Sequence, residues 1–171
     1  MRKIDSMKSS ECECNTCQQM CHRPCWGTPK DIKKMIDAGF AKRLMQDHYT
    51  KNSRIIPVLC PSLKSYEGKN APYWPQTEEG CTFWKNKKCT LHYSGMKPTE
   101  GKLATCHGSI DLEDMISIHS EIGEEWDTEI GKKVFKYWEK VMSEEENYSI
   151  TLLYPTVESG PLWHWSRLLC L

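Results

Sequence analysis

The sequence lacks both a long apolar run and an excess of charge of one sign. No segment approaches the roughly 20 consecutive apolar residues that a membrane-spanning helix needs. Lysine and arginine together number 23, and so do aspartate and glutamate. The chain therefore has no overall electrostatic field that would draw it to nucleic acid or to an anionic membrane, and any such binding has to be local.

Targeting and common catalytic motifs are missing as well. Residues 1–10 carry positive charge, but no apolar run follows them, so they do not form a secretory signal. This predicts a cytoplasmic protein. The sequence also has no glycine-rich phosphate loop, no Gly-x-Ser-x-Gly and no His-Glu-x-x-His. Motifs of this kind therefore do not decide whether the protein is an enzyme.

The composition that is present indicates a folded chain. Hydrophobic residues make up 39% of the sequence, with seven tryptophans and seven tyrosines, and the charges are well mixed. No linker divides the 171 residues, so we expect a single domain over 1–171. Its cysteine-rich part covers 12–108 and its helical part 109–171. The predicted fold class is α+β, mainly helical, with an irregular cysteine-rich metal-binding region and a few short strands.

Local signals predict several elements. Thr28, Pro29 and Asp31 are typical of a helix start, and apolar residues then recur every four positions, which predicts a helix over about 29–48. A β-branched run predicts a strand over 54–59, at an edge because it contains proline. Two amphipathic helices are expected after residue 111, and a further strand over 150–154.

Ten cysteines dominate the chemistry, and five of them lie within 12–25. A disulfide framework needs an oxidising compartment, and cysteines this close in sequence pair poorly with one another. Metal ligation is therefore favoured over disulfides. Thiolates are soft anionic ligands that suit zinc, iron–sulfur clusters and monovalent copper.

The cysteines form two groups, one before the first helix and one around residues 81–106. The predicted metal ligands are Cys14, Cys17, Cys21, Cys25, Cys81, Cys89 and Cys106. Dense spacings and the proline before Cys25 favour an iron–sulfur cluster, of the 4Fe–4S type, over Zn²⁺. A zinc site built from two knuckles would need a tighter second pair than Cys81 and Cys89. The sequence does not decide between the iron–sulfur cluster and Zn²⁺.

Three further residues are weaker candidates for ligation. Cys12 is separated from Cys14 by a single residue, a spacing that rarely gives two ligands to one ion. Cys60 is balanced between a ligand and a packed thiol. His107 follows Cys106 directly, but a supporting or exposed role is favoured for it.

The cysteine pattern resembles that of the YkgJ-like family of zinc- or iron-chelating cysteine-cluster proteins. The resemblance rests on Cys14-x2-Cys17-x3-Cys21-x3-Cys25, on the Cys81-Thr-Phe-Trp and Cys89-Thr-Leu-His elements, and on Lys97-Pro98. It covers about 12–108, with wider spacing in the first group and lysine where the family has arginine. The resemblance implies metal binding through the seven predicted cysteines, and it implies no particular reaction.

Three functions are compatible with these features of the sequence. The first is a protein that holds an iron–sulfur cluster or zinc in a structural or redox role. The second is a zinc-stabilised adaptor that binds a protein through the Trp163/Trp165 tail, or nucleic acid through Lys85–Lys88; the zero net charge disfavours nucleic acid. The third is a metal-dependent enzyme with an open coordination site.

Overall fold

A computed structural model describes residue 4 and residues 18–71, 77–103 and 112–153. Three α-helices occur in these ranges: α1 Pro29–Asp37, α2 Leu112–Trp126 and α3 Glu129–Leu153. Four strands form two antiparallel hairpins, β1 Leu44–Lys51 with β2 Arg54–Pro61, and β3 Trp84–Lys85 with β4 Lys88–Cys89. The mixed α+β class is confirmed.

The first helix begins where the sequence predicts, because its start is encoded locally. The Thr28 side chain accepts a hydrogen bond from the Asp31 backbone N–H, and the Asp31 carboxylate accepts one from the Thr28 backbone N–H. Pro29 occupies the first turn, where its missing N–H costs nothing. This reciprocal capping box fixes the chain direction directly after Cys25.

The predicted extension of this helix to residue 48 is wrong. Gly39 has φ of +81°, its N–H donates to the Ile36 carbonyl, and the Phe40 N–H donates to the Met35 carbonyl. This pair of bonds is the Schellman arrangement, which ends a helix at a left-handed glycine. A short 3₁₀ turn, Ala41–Arg43, then leads into β1.

Strand β2 lies at the centre of the packing. It pairs with β1 along its whole length and contacts all three α-helices. A tight turn with positive φ at both Asn52 and Ser53 joins the two strands, as expected for a two-residue hairpin. The strand predicted over 54–59 is thus confirmed and extends to Pro61.

The core fills the space between this hairpin and the helices. It is built from apolar side chains of α1, β1, β2, α2 and α3, among them Ile32, Met35, Leu44, Val58, Leu59, Ile118, Ile122, Trp126 and Trp138. Two buried indoles also tie helices to loops: Trp126 Nε1 donates to the Gly27 carbonyl and Trp138 Nε1 to the Ala41 carbonyl, each at 2.9 Å.

Both helices predicted after residue 111 are confirmed, but the strand predicted over 150–154 is wrong, because α3 continues to Leu153. Tyr154 lies outside the described residues, as does the Trp163/Trp165 tail. Within the described ranges, no helix combines the length and apolar character needed to cross a membrane.

Asp31 joins the helix start to a distant segment, and its loss should be costly. Beyond the cap, its Oδ2 accepts hydrogen bonds from Thr99 N–H at 3.0 Å and Thr99 Oγ1 at 2.6 Å. We expect Asp31→Ala to lower the free energy of unfolding by about 2 kcal/mol, the sum of a lost cap and lost buried hydrogen bonds. Urea denaturation measures this. Asp37→Ala, on the exposed side of the same helix, is the control and should change stability little; equal losses for the two variants would contradict the prediction.

A candidate thiol-lined metal centre

Four cysteines from separate parts of the chain line one cavity. They are Cys21, Cys25, Cys81 and Cys89, and the cavity has a volume of about 80 Å³. That is several times the roughly 10–15 Å³ that one water molecule needs. The structure thus brings together four of the seven predicted ligands, two from each predicted group.

Backbone contacts hold Cys21 beside Cys81. Cys21 lies in a short 3₁₀ helix, Met20–His22, and its carbonyl accepts a hydrogen bond of 2.7 Å from the Cys81 N–H. Gly80 precedes Cys81 with φ of +75°, and a Cβ there would lie 2.7 Å from the Trp84 ring and 3.3 Å from the Cys21 oxygen. Glycine is therefore needed at this position both for the left-handed backbone and for the close approach.

Cys89 enters the cavity from the second hairpin. The turn residues Asn86 and Lys87 both have positive φ, and β4 then pairs Cys89 with Trp84 of β3. Two short strands thus flank a charged turn. This hairpin places Cys89 next to Cys81 although seven residues separate them in sequence.

Cys25 is framed by the segment around Glu100. The Trp26 N–H donates to Glu100 Oε2 at 2.6 Å, and the Glu100 N–H donates to the Trp26 carbonyl at 3.0 Å. A Cβ on Gly101 would lie 3.1 Å from Cys25 Sγ. The backbone after Cys25 is thus clamped from one side, and the chain at Gly101 passes close to the sulfur.

Glu100 is fully buried and belongs to a charged network. Its Oε1 accepts a hydrogen bond of 2.8 Å from Arg23, and it lies 3.6 Å from His119 Nδ1. Burial alone would raise the pKa of Glu100, but His119, Arg23 and the Trp26 N–H outweigh burial and hold this pKa below its usual value. The His119 ring also stacks on Trp26, with 3.6 Å between centroids. Through these contacts of His119, helix α2 is connected to the segment that carries Cys25.

The thiols influence one another's ionisation. The Cys21 thiol forms a hydrogen bond with Cys89, which lowers the pKa of Cys89 to about 6 and raises the pKa of Cys21; charge on the other three thiols raises it further. Burial raises the pKa of Cys81 to about 12, and burial together with the Glu100 charge raises the pKa of Cys25. One thiolate forms readily, whereas a full set needs a cation among the sulfurs to offset burial and repulsion.

The chemistry of this donor set fits a soft cation, but the sulfurs do not form a closed coordination group. Among the described residues, no three His, Cys, Asp or Glu side chains are arranged to hold a metal ion. The four cavity thiols therefore lie together and interact electrostatically without the geometry of a coordination sphere. The predicted ligands Cys14, Cys17 and Cys106 lie outside the described residues, as do Cys12 and His107.

Cys60 is placed apart from this cavity. It is fully buried, it packs in the hydrophobic core, and its Sγ contacts the Met45 carbonyl at 3.9 Å. Burial raises its pKa well above the usual value. Of the two roles considered for Cys60, the structure favours the packed thiol.

Sequence reasoning missed the network around Glu100. Its partners Arg23 and Trp26 lie 77 and 74 residues away in the sequence, and no spacing rule singles out one acidic residue among 23. The position of Arg23 between Cys21 and Cys25 was the only available signal.

Comparison of the chain with protein-family models, with curated proteins and with solved structures finds no match.

Proposed function

We propose that the protein binds an iron–sulfur cluster or zinc through Cys21, Cys25, Cys81 and Cys89, in a structural or redox role. The observation that supports this most directly is the convergence of these four thiols, from two stretches some sixty residues apart, on one cavity. Packing alone does not require four thiols to share a cavity, because free cysteines usually pack singly as small hydrophobic residues.

Electrostatics supports the same proposal. Thiolate ligands must be deprotonated, and three of the four cavity thiols resist ionisation while Cys89 does not. A bound cation would offset the repulsion among them, and metal binding would release protons. In this proposal, Cys89 provides the first thiolate, and the Glu100 clamp holds Cys25 in place.

The choice between the two cofactors depends on the donor chemistry and the space available. A 4Fe–4S cluster takes four thiolates and supplies one-electron redox chemistry; a zinc ion takes four thiolates in a closed structural site. Room for several atoms beside the thiols favours the polynuclear centre. The sequence resemblance to cysteine-cluster proteins is compatible with both.

Metal analysis of anaerobically purified full-length protein tests the proposal. We expect either a brown protein containing iron and acid-labile sulfide, or a colourless protein with stoichiometric zinc. Elemental analysis together with the visible absorption spectrum measures both outcomes. Protein that is folded by circular dichroism and contains neither metal, even after anaerobic reconstitution with iron and sulfide or with zinc, would refute the proposal.

A further inference from the structure

The mouth of the thiol cavity carries a concentration of positive charge that the balanced composition does not predict. Lys87, Lys88 and Lys97 all line it, whereas no carboxylate does so among the described lining residues. Lys97 lines the same cavity as Cys89 and Cys25. These lysines come from two segments, the β3–β4 hairpin and the chain before Gly101.

The stem of Lys97 passes close to Gly101. A Cβ on Gly101 would lie 3.4 Å from Lys97 Cγ and 3.1 Å from Cys25 Sγ, so the lysine stem and the Cys25 sulfur flank the same glycine. Lys87, by contrast, is exposed at a tight turn with φ of +64°. One cation is thus held near the thiols, and another stands at the rim.

The indole of Trp84 adds an aromatic surface to the same cavity. The remaining walls are largely apolar and include Pro61, Leu91 and Pro98.

We propose that this mouth is a binding site for a small organic anion, with a carboxylate or phosphate group held by Lys87 and Lys97 and an apolar part against the cavity wall. Small-molecule sites typically combine apolar walls with a few convergent polar groups, as here. Binding of the anion needs no metal. The inference rests on the proposed function only for its consequence, which is that the ligand would lie beside the metal centre.

A matched ligand series tests the site. Butyrate, butyl phosphate and butanol share the same apolar tail, and only the first two carry charge. Ligand-observed NMR on full-length protein, with metal content measured on the same samples, should show both anions binding at least roughly tenfold more tightly than butanol, with weaker binding at higher ionic strength. Preference for one anion identifies the headgroup class; binding of butanol as tight as that of the anions overturns the proposal.

Two double variants, each lacking two lysines, distinguish binding at this site from a general effect of the protein's positive charge. Lys87→Gln with Lys97→Gln should weaken anion binding roughly five- to tenfold, because exposed charge pairs contribute up to about a factor of five each. Lys33→Gln with Lys132→Gln removes two exposed lysines from α1 and α3, away from the cavity, and should leave binding unchanged. Equal weakening by both pairs overturns the inference.

Metal content keeps the two proposals distinct. Lysine-dependent anion binding by folded protein that takes up neither iron nor zinc on reconstitution would support the anion site and refute the metal proposal. Metal-loaded protein that binds neither anion would support the metal proposal and refute the anion site. If the Lys87/Lys97 variant loses its metal together with anion binding, the lysines act through the metal centre, and the anion site is overturned.

Discussion

Cys89→Ser is expected to remove most of the bound metal, whereas Cys60→Ala should leave the metal content unchanged. Cys89 has the lowest pKa among the cavity thiols, about 6, and so supplies a thiolate near neutral pH. A serine hydroxyl at this position is a hard donor that stays protonated, and soft cations favour thiolates. The loss of affinity should exceed the 10- to 100-fold typical of changes to groups that only support a ligand.

The measurement is elemental analysis of both variants after identical exposure to a chelator. Cys60→Ala is the matched control, because Cys60 is a free cysteine like the cavity thiols but packs in the core instead of lining the cavity. Cys21→Ser tests a cysteine of the first group in the same way, and it should lose metal as Cys89→Ser does. If both serine variants retain wild-type metal, the cavity thiols are not the ligands; if Cys60→Ala loses as much metal as they do, the effect arises from destabilisation.

Features encoded within a few residues could be predicted from the sequence. The cap of α1 depends only on Thr28, Pro29 and Asp31, and all three behave in the structure as their types suggest. The β3–β4 hairpin is also decided locally, since the charged turn lies between its two strands. In both cases, the residues that decide the geometry are neighbours in sequence.

The end of α1 shows where this reasoning fails. Ile32, Ile36, Phe40 and Leu44 recur at helical spacing, yet Leu44 begins β1, and Phe40 completes the Schellman bond to Met35. A glycine within a periodic run either weakens a helix or ends it. Here the outcome follows from the pairing of β1 with β2, which is a tertiary contact.

In the candidate site, too, some residues could be predicted from the sequence and others could not. Cysteine spacing alone identified Cys21, Cys25, Cys81 and Cys89 as related, because thiolate chemistry is specific to one residue type. The charged residues that hold the site in place, Arg23, Glu100 and His119, are common types whose roles depend on long-range contacts. Ligation by the seven predicted cysteines stays a prediction.

Glu100→Ala should destabilise the protein by about 3–5 kcal/mol, the usual cost of removing one partner from a buried ion pair. The variant would leave the Arg23 guanidinium without its carboxylate, with that side chain only 23% exposed, and would leave the buried Trp26 N–H without an acceptor. The imidazole of His119 would also lose its anionic neighbour. Urea denaturation of metal-free protein measures the effect separately from metal binding.

Glu100→Gln and Glu129→Ala make this result specific. The glutamine oxygen can still accept from the Trp26 N–H, so Glu100→Gln should recover part of the loss and leave the cost of the unpaired arginine. Glu129 is exposed on α3 with Lys132 as its partner, and its removal should change stability little. A stability for Glu100→Ala within about 1 kcal/mol of the wild type would mean that the clamp on Cys25 contributes little. Cys25 would then have to be held in place by the capping box and by the packing against Gly101.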